Sequence, residues 1–174
     1  MSKYEPGRRN VKLSKKEAHR FKDLGDMGEF LAELLLGENG FEDIRNLNGD
    51  VTNFPFADFY AVKDGVEYII TVKTRNRYEN SGKINSRYKL GDTDAKLRKV
   101  LSEPAFSDYR KCIPAWMAIS MEAKTFDAYW GLISELTNRR GIAMTETARK
   151  RYICLAKAHP HPFNYKDFLN VYET

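Results

Sequence analysis

The stretch PFADFYAVKDGVEYIITVKTR, residues 55–75, contains the two clearest strand patterns of the chain. Aromatic and β-branched residues dominate both halves, 55–63 and 66–75, as is typical of strands. Between them lies Asp64-Gly65, a dipeptide that strongly favours a two-residue hairpin turn. The sequence therefore predicts an antiparallel hairpin.

The register of this hairpin brings three polar side chains together. With a two-residue loop, Asp58 lies opposite Thr71, and Phe56 lies opposite Lys73. Because side chains alternate between the faces of a strand, Asp58, Thr71 and Lys73 share one end of an otherwise apolar face. A three-residue loop with a bulge would change this register. The pattern predicts a carboxylate, a hydroxyl and an ammonium group side by side.

Asp58 is the unusual residue of the first strand. Aspartate is a poor strand former, and a buried carboxylate is costly unless it is paired or binds a metal. One interpretation is a structural salt bridge between Asp58 and Lys73. The other is a divalent cation bound by Asp58, with Lys73 beside a reacting phosphate, because hard cations take oxygen ligands and a lysine can neutralise developing charge.

The remaining patterns predict a mixed α/β sheet between helices. A capping box at Ser14 and apolar residues at helical spacing indicate a first helix that ends at Leu36. Gly25 and Gly28 lie inside it, and we expect either a break or close packing near Gly25. Trp116, Tyr129 and Trp130 are predicted core aromatics. The other predicted elements are a strand at 41–47, a mobile loop at 76–91, a helix at 92–102, strands at 113–121 and 126–136, a turn at 138–141 and a helix at 145–158 that the prolines of 159–162 stop.

Length and composition are those of one domain. The chain has 174 residues, of which 42% are hydrophobic and 30% charged, which is enough for one core. We expect a flexible basic arm over 1–13 and a single domain over 14–174. No apolar run reaches the roughly 18 residues of a membrane span, and the N-terminus does not have the pattern of a secretory signal. Two cysteines without a CxxC motif fit a reducing cytoplasm.

The charge is concentrated in three segments, although the net charge is only +5. Lys and Arg outnumber Asp and Glu by eight to two in residues 1–22, by five to one in 75–89 and by six to one in 138–157. Such polarisation favours a polyanion partner, DNA above all. The alternative is that these segments are only solvated tails and loops.

Basic side chains in the second and third of these segments are the candidates for phosphate contacts. Tyr78 and Tyr88 alternate with the bases of the loop and could stack on nucleobases. The candidate nucleic-acid-binding residues are Arg75, Arg77, Lys83, Arg87, Lys89, Arg139, Arg140 and Arg149.

Four short motifs together resemble the PD-(D/E)xK nuclease superfamily, which includes restriction endonucleases and archaeal Holliday junction resolvases. The resemblance implies a restriction endonuclease-like fold, a mixed sheet of about five strands flanked by helices. In chain order the motifs are Gly25-x-x-Gly28-Glu29, Gly40-Phe41, Pro55-x-x-Asp58 and Thr71-x-Lys73-Thr74-Arg75.

The resemblance implies a role for five residues. Asp58 would be the principal metal ligand and Lys73 the catalytic lysine. Glu29, on the first helix, would be the accessory acid of the metal site, although a solvent-facing Glu29 is the alternative. The backbone carbonyl of Val72 would be a further ligand. Thr71 stands where the family usually has Glu, Asp or Gln, so Glu29 is the candidate for the missing carboxylate.

The resemblance implies a Mg²⁺- or Mn²⁺-dependent endonuclease that hydrolyses DNA phosphodiesters. A homodimer is expected from the resemblance alone. The second hypothesis is a catalytically impaired nucleic-acid-binding module of the same fold, with Thr71 as the trace of the lost activity. A third hypothesis is an interaction protein in which the motifs occur by chance.

Overall fold

The computed structural model describes residues 24–50, 54, 56–91, 93–136 and 141–162. The predicted basic arm at 1–13, the first part of the predicted helix at 14–23, and the candidate residues Arg139 and Arg140 lie outside these ranges. Among the described residues, no helix is long and apolar enough to cross a membrane.

The described chain contains four helices, two 3₁₀ turns and eight strands. The helices are α1 (Leu24–Glu38), α2 (Leu47–Asp50), α3 (Asp94–Leu101) and α4 (Glu146–Arg149), with 3₁₀ turns at Pro104–Tyr109 and Ile133–Glu135. The strands are β1 (Glu42–Asn46), β2 (Phe59–Lys63), β3 (Val66–Asn76), β4 (Arg87–Tyr88), β5 (Ile113–Met121), β6 (Thr125–Leu132), β7 (Ile142–Ala143) and β8 (Ile153–Pro160).

A six-stranded sheet with the order β1-β2-β3-β5-β6-β8 is the centre of the molecule, and β4 and β7 form a separate ribbon. Strands β3 and β5 run parallel, while the other neighbours are antiparallel. The predicted class, a mixed α/β sheet flanked by helices, is confirmed, with six strands instead of about five.

The central hairpin has the predicted register. Lys63 pairs with Val66, and the ladder continues to Phe59 opposite Ile70. The turn residues Asp64 and Gly65 have φ angles of 51° and 75°, the left-handed pair that a type I′ turn requires. The two-residue loop is therefore confirmed, and the alternative with a bulge is not observed.

Helix α1 covers one face of the sheet. Met27, Leu31 and Leu35 are fully buried in a cluster that includes Ile70 and Met117 of the central strands. Close packing occurs at Gly28, three residues after Gly25, where the sequence predicts it. A Cβ atom added there would lie 1.6 Å from Thr74 Oγ1, so only glycine permits this approach of α1 to β3.

The opposite face packs against α3, the 3₁₀ turns and the β4–β7 ribbon. Trp116 and Tyr129 lie in this second core, and Trp130 lies in the first. All three are at most 7% exposed, which confirms their assignment to the core.

The predicted helix at 145–158 is wrong in most of its length. Only Glu146–Arg149 is helical, after Thr145, whose side chain caps the helix at Ala148 N. Residues from Ile153 to Pro160 instead form β8, which pairs with β6. Without β8, the backbone of β6 would be an unpaired sheet edge, and this tertiary pairing overrides the local helical pattern.

The segment 76–91, predicted as a mobile loop, is mostly irregular but contains two short pairings. Strand β4 pairs with β7, and Tyr78 forms an isolated bridge with Ile84. The predicted strand at 126–136 ends at Leu132, where a 3₁₀ turn begins.

Candidate metal and nucleic-acid site

Asp58 lies one residue before β2, at the end of the hairpin that faces away from the turn. Its backbone N–H donates to Ile70 O at 2.8 Å, and its Oδ2 accepts the Val72 N–H at 2.7 Å. The carboxylate thus replaces the strand partner that Val72 would otherwise have in β2. Two hydrogen bonds to the backbone of β3 therefore fix the position of a half-buried acid.

Val72 presents its carbonyl to the same edge of β3. In a strand, the N–H and C=O groups of one residue point to the same neighbour, and the Val72 N–H points at Asp58. The predicted third ligand, the Val72 carbonyl oxygen, is therefore directed towards the segment that carries Asp58.

Asp58, Thr71 and Lys73 line one cavity of about 280 Å³. The Thr71 hydroxyl donates to Phe56 O at 2.7 Å, which ties the segment before β2 to β3. The three polar groups that the register places on one face therefore line the same cavity. The hydroxyl hydrogen of Thr71 is used in a hydrogen bond that stabilises the wall of this cavity.

Glu29 of α1 lies across from Asp58, with Asn48 between them. Asn48 Nδ2 donates to Glu29 Oε1 and to Asp58 Oδ1, both at 3.0 Å. Burial raises the pKa of Glu29 to about 7, and the negative charge of Asp58 adds to this rise. Glu29 is thus half-buried and faces a second acid, which differs from the solvent-facing alternative.

The approach of α1 to β3 makes this arrangement possible. Gly28 precedes Glu29 and sits directly against Thr74 of β3. Because Gly28 has no side chain, the helix backbone comes close enough for Glu29 to reach the end of β2. The sequence motif Gly28-Glu29 therefore has a steric explanation.

The donor set fits a hard cation with few protein ligands. Glu29 and Asp58 supply carboxylate oxygens and Val72 a carbonyl, and Mg²⁺ is commonly held by one or two carboxylates while it keeps several waters. No group of three or more His, Cys, Asp or Glu residues with metal-binding geometry occurs among the described residues. Any cation at this site is therefore held by two acids and neutral oxygens.

The cavity has an apolar side that the motif analysis did not predict. Phe54 and Phe56 stack at 4.9 Å between ring centroids, and Leu90, Leu97 and Ile133 complete this wall. Asn48 was also missed. It lies in the polar stretch Asn46–Asp50, where nothing in the local pattern indicates that α2 returns to the end of β2.

Four of the candidate phosphate-binding residues are exposed, namely Arg75, Lys83, Arg87 and Lys89. Arg77 is only 24% exposed and forms ion pairs with Glu122 at 3.5 Å and with Asp127 at 3.8 Å. Its guanidinium group also lies 5.6 Å from the ring centre of Tyr78. Arg77 therefore already pairs with acidic side chains of this chain, unlike a side chain that is free to bind phosphate.

Arg149 does not occupy the position that a phosphate track requires. It is 7% exposed and donates to Met144 O at 2.8 Å and to Ser120 Oγ at 3.1 Å. Its guanidinium also lies 3.5 Å from Asp127 Oδ2. Arg149 is thus part of the core. The same holds for Tyr88, which is fully buried and cannot stack on a nucleobase.

Comparisons with known proteins found a weakly similar solved structure but no matching family. No family model matches the chain, and no curated protein matches it. Among solved structures, the chain is similar to Hjc of Archaeoglobus fulgidus, described as a Holliday junction resolvase from an archaeal hyperthermophile. The TM-score is 0.43 at 15% sequence identity, over 72% of this chain and 93% of that chain.

Proposed function

We propose that this protein is a divalent-metal-dependent endonuclease that hydrolyses DNA phosphodiesters. The observation that carries the proposal is the pair of carboxylates, Glu29 and Asp58, that Asn48 joins beside a cavity lined by Asn48, Asp58 and Lys73. Two acids bridged by a neutral amide are electrostatically costly, and a bound cation removes that cost. Perturbed acids at a cavity are typical of functional sites.

Asp58, Glu29 and the Val72 carbonyl would hold Mg²⁺ or Mn²⁺ in this proposal. When bound, such an ion polarises a phosphoryl oxygen and lowers the pKa of a coordinated water. Asp58 is the fixed ligand, because the Val72 N–H orients its carboxylate. Glu29 loses its proton near neutral pH, given its pKa of about 7. Lys73 places a positive charge where a phosphate gains negative charge.

DNA would approach along the exposed basic residues beside the cavity. Arg75 lies two residues beyond Lys73 on β3, and Arg87 and Lys89 flank the buried Tyr88. Contacts of such side chains with phosphates position the duplex without reading its sequence. A homodimer and a cytoplasmic location are further parts of the proposal, and sedimentation velocity of the free protein tests the first.

The second candidate function is a nucleic-acid-binding module without catalysis. Thr71 favours it, because its hydroxyl donates to Phe56 O where the resemblance leads us to expect a metal-binding acid. Under this hypothesis, the protein binds DNA and Glu29 and Asp58 are remnants of a site.

Cleavage of supercoiled plasmid and of a synthetic four-way junction, with Mg²⁺ or Mn²⁺, separates the two functions. We expect Asp58→Ala and Lys73→Ala each to reduce the cleavage rate by about 100-fold or more while DNA binding changes little. Asp108→Ala, an exposed acid on the 3₁₀ turn, is the matched control and retains wild-type activity. Salt-dependent binding without any metal-dependent cleavage by the wild type would favour the binding module.

A further inference from the structure

Asn48 occupies the point between the two acids of the site. Its Nδ2 atom lies 3.0 Å from Glu29 Oε1 and 3.0 Å from Asp58 Oδ1. An amide nitrogen carries two hydrogens, so each acid receives one. This group therefore lies between two acidic groups, whose negative charges attract a cation.

The backbone around Asn48 is held in place by neighbouring groups. The Leu47 N–H donates to Asp58 O at 2.9 Å, and the Asn48 N–H donates to Asn46 Oδ1 at 2.9 Å. Leu47 itself is buried at 6% exposure. Helix α2 is therefore tied to Asp58, and this holds the backbone of the exposed Asn48 beside the two acids.

We propose that Asn48 is the third side-chain ligand of the metal site, a role that rests on the proposed function. The terminal torsion of asparagine is roughly two-fold, so a half turn exchanges Nδ2 for Oδ1 with little displacement. Nδ2 faces the two acids without metal, and Oδ1 faces the cation when one is bound.

This assignment accounts for the missing acid at Thr71. Two carboxylates balance the charge of one divalent cation, and a neutral amide oxygen adds a ligand without further repulsion between acids. Asn oxygens are accepted ligands of hard cations. The site is thus completed by α1 and α2 instead of by the second acid on β3.

Mn²⁺ binding to the DNA-free protein, measured by isothermal titration calorimetry at pH 8, tests this inference. We expect Asn48→Ala to raise the Kd for Mn²⁺ by about tenfold, and Asn48→Asp to bind at least as tightly as the wild type. Asn80→Ala, an exposed asparagine in the segment between β3 and β4, is the control and leaves the Kd unchanged. Thermal melts without metal verify that each variant is folded.

Three results would overturn the assignment of Asn48. They are an unchanged Kd in Asn48→Ala, a tighter Kd in that variant, which would make the amide only a competitor of the cation, and a weaker Kd in Asn48→Asp. These results concern Asn48 alone if the wild type binds Mn²⁺ and Asp58→Ala abolishes that binding. If the wild type binds no Mn²⁺, the proposed function itself fails at its metal site.

Discussion

Two clusters of charged groups lie at different places on the sheet, and they differ in how their charges are compensated. At the end of β2 and β3, Glu29 and Asp58 face each other across a neutral amide. On β6, Asp127 accepts the Ala158 N–H at 2.7 Å and lies within 4 Å of two guanidinium groups, those of Arg77 and Arg149.

The two clusters differ in whether their charges are balanced by partners within the protein. Asp127 is 5% exposed and has positive partners on two sides, so its charge is balanced within the protein. Glu29 has a second acid as its neighbour and a raised pKa. A buried pair of opposite charges is a structural feature, whereas a pair of like charges at a cavity is prepared for a ligand of the other sign.

Breaking the complete cluster should have the largest effect on stability. Arg149→Met removes the guanidinium and leaves Asp127 buried with less compensation, which costs about 3–5 kcal/mol of unfolding free energy. Urea denaturation measures this loss. Arg151→Met, an exposed arginine two residues away, should change stability by no more than about 0.5 kcal/mol. Equal losses in both variants would contradict the structural role of Arg149.

The approach of α1 to the sheet should have the next largest effect. Gly28→Ala forces a Cβ atom into Thr74 and should destabilise the protein by about 1–3 kcal/mol. Because the helix must shift, Glu29 should also move and Mn²⁺ should bind more weakly.

Gly37 on the same helix provides the matched control. The nearest atom to a Cβ added there is Ile44 Cδ1 at 4.0 Å, an ordinary contact. Gly37→Ala should therefore stabilise the protein by roughly 0.5–1 kcal/mol, because alanine favours the helix. Thermal unfolding of both variants gives the comparison, and a loss of stability in Gly37→Ala would argue against this account of Gly28.

The hairpin could be predicted because its information is local. Asp64-Gly65 permits the left-handed turn, and alternation along each strand then decides which side chains share a face with Asp58. The position of Glu29 needed the resemblance to a family, because the helix and the hairpin are far apart in sequence. Asn48 could not be found, since its contacts depend on how α2 returns to the sheet.

The errors also have a physical pattern. Arg149 and Tyr88 were assigned to the surface because they lie in basic segments, but composition does not indicate which side chain of a segment turns inwards. Residues 153–158 are assigned to a helix from the sequence because periodicity over a short apolar run is ambiguous. The free edge of β6 decided their structure, and that edge is not visible in the local sequence.

Replacing Glu29 with Gln removes one of the two like charges and tests whether their repulsion lowers the stability of the metal-free protein. The pKa of Glu29 rises from 4.5 to about 7 on folding, so the unfolded chain releases this proton at lower pH. The metal-free protein therefore loses stability as the pH rises from about 4.5 to about 7. Glu29→Gln abolishes this loss.

The variant should accordingly be more stable than the wild type at pH 8 and equally stable near pH 4. Since Glu29 is only partly buried, we expect a difference of roughly 1 kcal/mol, or about 2–4 °C in Tm. In thermal melts with Mn²⁺, the wild type should be more stable than Glu29→Gln, because the variant lacks one metal ligand. A variant that is less stable at pH 8 without metal would show that Glu29 and Asp58 do not repel.

The smallest effect on the fold is expected at the exposed arginines, which contrast with the buried Arg149. Neutralising Arg75 and Arg87 to Gln should leave the Tm nearly unchanged, because exposed substitutions away from packed features have little effect.

The main effect of neutralising Arg75 and Arg87 should be on DNA binding. Each lost phosphate contact lowers the slope of log K against log salt by about 0.9, so the double variant should lose a slope of about 2. Fluorescence anisotropy between low and physiological salt measures it. The conservative variant Arg149→Lys should keep the wild-type slope, because its side chain points into the core. An unchanged slope in the double variant would place the DNA surface elsewhere on the molecule.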